Sequence, residues 1–410
     1  MARRLLKLLI VTTIVAGFAS TSFAGADVLG VLAGSTGFKA GPVTLHAGLQ
    51  VKGSLDSNIY ATPTGEVDDY ISVLSPGILI TMKTQRHKFD LGASSDTYYY
   101  SDNDDENFTA VTYKSAYALT STNGIEFSIS DTYMTSEDPR PEQNTPRRKE
   151  HYTNDIDGKV RYTFPAKKFA VEVFAKELHL QYDEDQDESS NRKDREIGLG
   201  IYYRVLPKTS LLIEYSNATK EYFDRIASDD KNDSRSNFYR LGIKWDASAR
   251  MNGSIKVGYE ERRYSDLDYD VNHTPAVDGN IQYKINKTTK IKAIVRFLLN
   301  ETAYAGDPIN FSKSYNYDHQ EVGIGINSKF MNRFTIDLNA NISNDEYENF
   351  DGGSKSTRED TIHNFTASFD YDFNKNISGG LSYTVKSKDS NDSNQDENKQ
   401  VVSLLLRYVI

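Results

Sequence analysis

From Val43 to the last residue, apolar and polar side chains alternate with a period of two, the mark of a strand with two unlike faces. Val43, Leu45, Ala47, Leu49 and Val51 alternate with Thr44, His46, Gly48, Gln50 and Lys52, and Ile197, Leu199, Ile201, Tyr203 and Val205 with Glu196, Gly198, Gly200, Tyr202 and Arg204. Eighteen such segments are predicted, over 42–56, 70–83, 87–101, 108–120, 125–135, 152–164, 169–182, 195–206, 210–220, 237–247, 251–264, 276–285, 291–301, 321–330, 334–344, 362–373, 377–388 and 400–410. Within 169–182 the apolar phase moves from Phe169, Val171, Val173 and Ala175 to Leu178, Leu180 and Tyr182, which predicts a β-bulge near Lys176.

Short and long connections alternate without a break. Eight tight turns, among them Lys83–His87, Pro165–Lys168 and Asn374–Asn376, interleave with nine longer links rich in Asp, Asn, Ser and Glu, and both ends of the strand run fall on the tight-turn side. That connectivity describes an all-β fold, a single antiparallel up-and-down barrel over 42–410 with no linker dividing it. A soluble barrel would enclose its apolar face, whereas a membrane barrel turns that face to lipid and keeps a polar lumen. Segments of about 10–14 residues favour the membrane, because strands of soluble sheets average about five or six while a tilted crossing takes about 9–11. Aromatic residues near strand ends, such as Tyr98 to Tyr100, Tyr113, Phe169, Tyr203, Phe334 and Phe373, fit interfacial girdles. The tight turns then face the periplasm and the long loops the cell exterior.

Composition narrows the chemistry. With no cysteine in 410 residues, thiolate metal sites, disulfides and cysteine nucleophiles are excluded. A mean hydropathy of -0.59 is too polar for a bundle of membrane helices. Residues 1–24 read as a secretory signal: Arg3, Arg4 and Lys7 precede an apolar run from Leu8 to Ala16, and Ser22-Phe23-Ala24 offers small residues for cleavage. Residues 25–41 are then a short N-terminal periplasmic lead. The formal charge of -10 becomes -13 without those three cations, which disfavours nucleic acid as a partner. The seven histidines form no H-E-x-x-H pair, and a G-x-S-x-G elbow, a Walker lysine loop and a complete dinucleotide fingerprint are absent. The chain is therefore read as a non-enzyme with no cofactor and no specific metal site.

The opening segment, with Gly53, then Asp56-Ser57-Asn58-Ile59-Tyr60, then Asp68 or Asp69, then Leu74-Ser75-Pro76-Gly77, resembles outer-membrane β-barrel proteins of the porin type associated with bacterial exopolysaccharide export. The likeness covers the mature barrel in architecture and is motif-like in this first hairpin. The end departs from the usual pattern, since outer-membrane barrels commonly finish in an aromatic residue and this chain finishes Arg407-Tyr408-Val409-Ile410. The resemblance implies residence in the outer membrane of a Gram-negative bacterium and a polysaccharide cargo.

Eighteen strands suffice for an aqueous bore. The positions opposite the apolar set carry Arg161, Arg204, Arg240, Lys244, Lys256, Lys284, Lys292, Arg296 and Arg407, together with Lys52 and Lys114. Acids share that face, including Glu126, Asp157, Glu172, Glu196, Glu214, Glu260 and Asp337, so pairing across the wall competes with cargo binding as their role. Arg161, Arg204, Lys244, Lys284 and Lys292 stand near tight turns, where a basic ring would draw an acidic polymer into the periplasmic mouth. Among the acidic loop runs, Asp102, Asp104, Asp105, Asp183, Asp185 and Asp187 are weak candidates for divalent cations, since no run has the spacing of a twelve-residue calcium loop. The expected partners are outer-membrane lipid and lipopolysaccharide, a polysaccharide cargo, periplasmic export components and the barrel-assembly machinery. Passive diffusion of small solutes and a structural or adhesive role of the outer loops are the competing functions.

Overall fold

The computed structural model describes residues 28–138, 149–183, 190–223, 233–246, 250–264, 271–301, 316–348 and 357–410. Residues 1–24, read from the sequence as a secretory signal, lie outside them. A six-residue helix, α1 (Val28–Ala33), and a short strand, β1 (Phe38–Ala40), precede the barrel. The barrel strands are β2 (Val43–Asp56), β3 (Asp69–Lys83), β4 (His87–Tyr100), β5 (Phe108–Thr120), β6 (Ile125–Asp138), β7 (Lys149–Thr163), β8 (Phe169–Tyr182), β9 (Arg192–Leu206) and β10 (Thr209–Tyr222). They continue with β11 (Ser234–Trp245), β12 (Met251–Tyr264), β13 (Asn272–Lys284), β14 (Thr289–Glu301), β15 (Asn316–Phe330), β16 (Phe334–Glu348), β17 (Thr357–Asp372), β18 (Ile377–Ser390) and β19 (Glu397–Val409).

Each barrel strand pairs antiparallel with its sequence neighbours, and β19 pairs with β2 to close eighteen strands into a cylinder. The period-two pattern gives each strand its two faces. On β9, Ile197, Leu199, Ile201, Tyr203 and Val205 are 41–63% exposed and point outward, while Tyr202 points inward and is 3% exposed. Large apolar side chains thus lie on the outside, as lipid requires. Outward rings gather in two belts: Tyr113, Tyr133 and Tyr152 neighbour one another towards the long loops, and Phe330, Phe334, Tyr371 and Phe373 towards the tight turns.

Two features differ from the sequence pattern. No bulge forms at Lys176, because β8 keeps unbroken register with β7 from Ala170 to Tyr182 and with β9 from Phe169 to Leu180. The phase change instead turns Leu178, Leu180 and Tyr182 into the lumen and leaves Glu177, His179 and Gln181 outside, since this end of the strand has risen past the apolar belt. Several ladders are likewise longer than the alternation predicts, most of all at the long-loop end: β7 starts at Lys149, β9 at Arg192 and β15 at Asn316. Backbone pairing continues there because it does not depend on an apolar outer face.

The seam between β19 and β2 spans only Gly48 to Asp56 of β2 and is reinforced at both ends. β1 extends it by pairing with Val43–Leu45. At the other end Ser57 N donates to Gln400 O at 3.0 Å, and Asn58 Nδ2 to Asn398 O at 3.1 Å.

Candidate functional site: the charged lumen

α1 sits inside the barrel at the tight-turn end. Val28, Leu29 and Leu32 are buried against inward-facing Leu79 of β3, with Val409 beside them. The close approach depends on three inward glycines on adjacent strands, Gly48, Gly77 and Gly92. A Cβ on Gly77 would stand 2.8 Å from Val28 Cγ1, one on Gly48 2.8 Å from Leu32 Cδ2, and one on Gly92 3.2 Å from Leu29 Cδ2. Ser35 then ties this segment to His46 Nδ1 at 2.8 Å and donates to the Ile410 carbonyl at 3.1 Å, so the segment before the barrel and the last residue of its final strand meet at one spot on the rim.

Towards the exterior, the connection 57–68 folds onto the inner wall. Ile59 packs against Ile71, Val73, Tyr98 and Tyr100. Asp69 accepts from Ser101 N at 3.0 Å, Asp102 N at 3.2 Å, and Asn103 N and Nδ2 at 3.0 and 2.9 Å. Through these contacts the motif-like residues Asp56, Asn58, Ile59, Tyr60 and Asp69 pin the first two outer connections over the lumen wall, which is a structural role.

Strand parity places all nine predicted lumen cations inward, and most meet a carboxylate. Arg240 lies 3.1 Å from Glu214 and 3.6 Å from Glu196, and Lys256 closes on Glu214 at 2.9 Å from the far side. Arg161 pairs with Glu172 at 3.3 Å and stacks 4.1 Å over the Tyr202 ring, whose hydroxyl donates to Glu172 at 2.9 Å. Lys244 lies 5.0 Å from the same ring. Arg204 reaches Asp246 at 3.6 Å, Arg296 reaches Glu321 at 2.9 Å and Arg407 reaches Asp370 at 2.9 Å. Lys284 ends β13 and Lys292 lies near the start of β14, where Lys284 faces Lys290 across the ladder and Lys292 faces Gln282. The mid-bore is therefore a belt of compensated charges, and the cation excess collects near the periplasmic rim.

Sequence reading overlooked the turns themselves. The eight tight turns carry Arg86, Lys167, Lys168, Lys208, Arg250, Lys287, Arg333 and Lys375 against the single acid Asp246. The nine long connections carry 23 acidic residues against 7 basic ones. The signal was available in the turn sequences but is diluted when charge is summed over the chain.

Among the described residues no group of three or more histidine or carboxylate side chains is placed to hold a metal ion. Asp104 and Asp105 belong to a 3-10 turn ending in Glu106, which is buried and accepts from Tyr60 Oη at 3.2 Å. Asp183 donates its amide to Glu150 O at 3.1 Å. Asp185 and Asp187 lie outside the described residues.

Residues 33–409 match the family model described as "Putative beta-barrel porin 2". The chain belongs to this family. As a porin-family barrel it is an integral outer-membrane protein of the Gram-negative type and a channel or porin-like transporter, from a family of porins and not of enzymes. No curated protein matches it. Solved structures similar in fold include OccAB3 of Acinetobacter baumannii, 11% identical with TM-score 0.46 over 89% of this chain and 99% of that one. OpdO of Pseudomonas aeruginosa is 10% identical with TM-score 0.46 over 89% and 97%. The siderophore receptor PirA of Acinetobacter baumannii is 8% identical with TM-score 0.46 over 89% and 80%. At such identities the likeness is one of fold alone.

Proposed function

We propose that this porin-family barrel exports an acidic exopolysaccharide, received in the periplasm and released at the cell surface. The observation that carries the reading is the opposed charge of the two ends, basic at the tight turns and acidic at the long loops. A polyanion is attracted to the first mouth and discouraged from re-entering through the second, an effect on capture and direction more than on affinity. Exposed Lys167, Lys168, Lys287 and Lys375 form the outermost ring, and Arg161, Arg204, Lys244, Lys284 and Lys292 stand just inside it. Between the mouths, the paired belt of Arg240, Glu214 and Lys256 presents no long run of one sign on which a polymer would stick. Periplasmic export components would supply the chain to the basic rim.

Planar-bilayer recording with oriented insertion tests this. Oligoglucuronate on the periplasmic side should block at low salt, weaken above roughly 0.5 M as the Debye length falls below about 5 Å, and block far less from the loop side. Lys167, Lys168, Lys284 and Lys292 changed together to glutamine should abolish the asymmetry. Equal block from both sides, or equal block by a neutral dextran of the same length, overturns it. The compensated mid-bore also suits passive diffusion of small solutes, which predicts steady conductance with no polymer block from either side.

A further inference from the structure

The outer surface of the barrel, above its lipid belt, holds a second charged feature outside the transport path. On β9 to β12 the outward apolar run ends at a row of tyrosines: Tyr215 and Tyr239 have ring centroids 5.3 Å apart, and Tyr239 stacks on Tyr259 at 5.1 Å. Asn217 and Asn237 follow on the long-loop side, with Asn217 Nδ2 donating to Asn237 Oδ1 at 3.0 Å and Tyr215 Oη to the same oxygen at 2.9 Å. The next outward row is Arg195, Thr219, Arg235 and Arg263, paired directly across four neighbouring strands. With strands about 4.8 Å apart, the three arginines span roughly 14 Å.

Two observations mark this row as a receptor for an anion. Arg235 and Arg263 face each other directly in the ladder, an arrangement that like charges destabilise unless something compensates them. Glu261 answers Arg263 at 2.5 Å, and Glu177 and Glu221 answer Arg195 at 2.8 and 3.4 Å, but exposed Arg235 has no ion-pair partner among the described residues. Outward cations at this level, Lys193 included, are confined to this sector among the described residues. Elsewhere the same level carries Glu137, Glu150, Asp318, Glu346, Glu359 and Asp389.

We propose that the β9–β12 sector binds the phosphorylated glucosamine headgroup of an outer-leaflet glycolipid, the anchor of lipopolysaccharide. Its acyl chains lie along the apolar outer face of β9–β12, its sugar rests on the tyrosine and asparagine rows, and a phosphate bridges Arg235 and Arg263. Guanidinium groups suit such a bridge because their paired N–H donors match phosphate oxygens, and the two arginines share one anion instead of repelling each other.

The test is native mass spectrometry of the refolded full chain in detergent, titrated with diphosphorylated lipid A, its dephosphorylated form, phosphatidylglycerol and inorganic phosphate. Diphosphorylated lipid A should bind saturably and at least about tenfold more tightly than the dephosphorylated form, and the double variant Arg235→Gln, Arg263→Gln should lose that preference. Glu359→Gln on the acidic side should leave it intact. Retained heat-modifiable migration shows that the variants are folded. Equal binding of phosphatidylglycerol or of the dephosphorylated lipid, saturation by inorganic phosphate alone, or an unchanged preference in the double variant overturns the assignment. None of these outcomes bears on polymer block.

Discussion

Leu32→Ala should release α1 from the wall while leaving the barrel intact. Val28, Leu29 and Leu32 are 3%, 4% and 0% exposed. Burying three such side chains contributes about 2 kcal/mol each. Ordering the six residues of α1 costs about 1 kcal/mol apiece, so the two nearly cancel, and docking rests on a margin supplied by the close glycine contacts. Truncating a fully buried leucine costs about 2–5 kcal/mol, more than that margin. β1 and the Ser35 bonds to His46 and Ile410 are untouched, so release should stop short of residue 35. Because the chain has no cysteine, spin labels can be placed cleanly at Ala33 and at Thr122 in the β5–β6 turn. Double electron–electron resonance should give one narrow distance in the parent and a broad distribution in the variant, while unboiled gel migration stays that of the folded barrel. A distribution as narrow as the parent's would refute the marginal docking argument.

Two further substitutions probe the wall and the outer connections. Glu214→Gln leaves Arg240 and Lys256 sharing a neutral partner, which should cost on the order of 3 kcal/mol in urea unfolding and move the reversal potential towards anion selectivity. Asp69→Ala strips the acceptor from the Ser101, Asp102 and Asn103 amides, about 1 kcal/mol for each, and should speed amide hydrogen exchange at 101–103 by roughly a hundredfold with little change in conductance.

Strand number and turn positions were readable because one chemical rule, lipid outside and water inside, is written into every second residue. β5 and β12 match their predicted spans residue for residue. The rule fails where neither solvent differs, so the outer ends of β9 and β15 were missed once both faces became polar. α1 was hidden for another reason. Val28–Ala33 follows the apolar and small residues of 8–24 without a change in character, and six residues are too few to show a helical period. The inward cations were legible from parity, but their partners were not. Arg407 meets Asp370 across the intervening β18, and Lys256 meets Glu214 across the intervening β11, through ladder registers that the alternation alone does not give. The motif residues Asn58 and Asp69 were visible, while their work of joining two connections required seeing both folded.

Strands of 12 to 16 residues tilted by about 40° rise roughly 30–40 Å, whereas the apolar band needs about 25 Å. The surplus stands on the exterior side as a stiff chimney of paired backbone. The outer mouth of the bore is thus carried above the hydrocarbon band on rigid paired strands, so its width there is set by backbone hydrogen bonds and not by loop conformation.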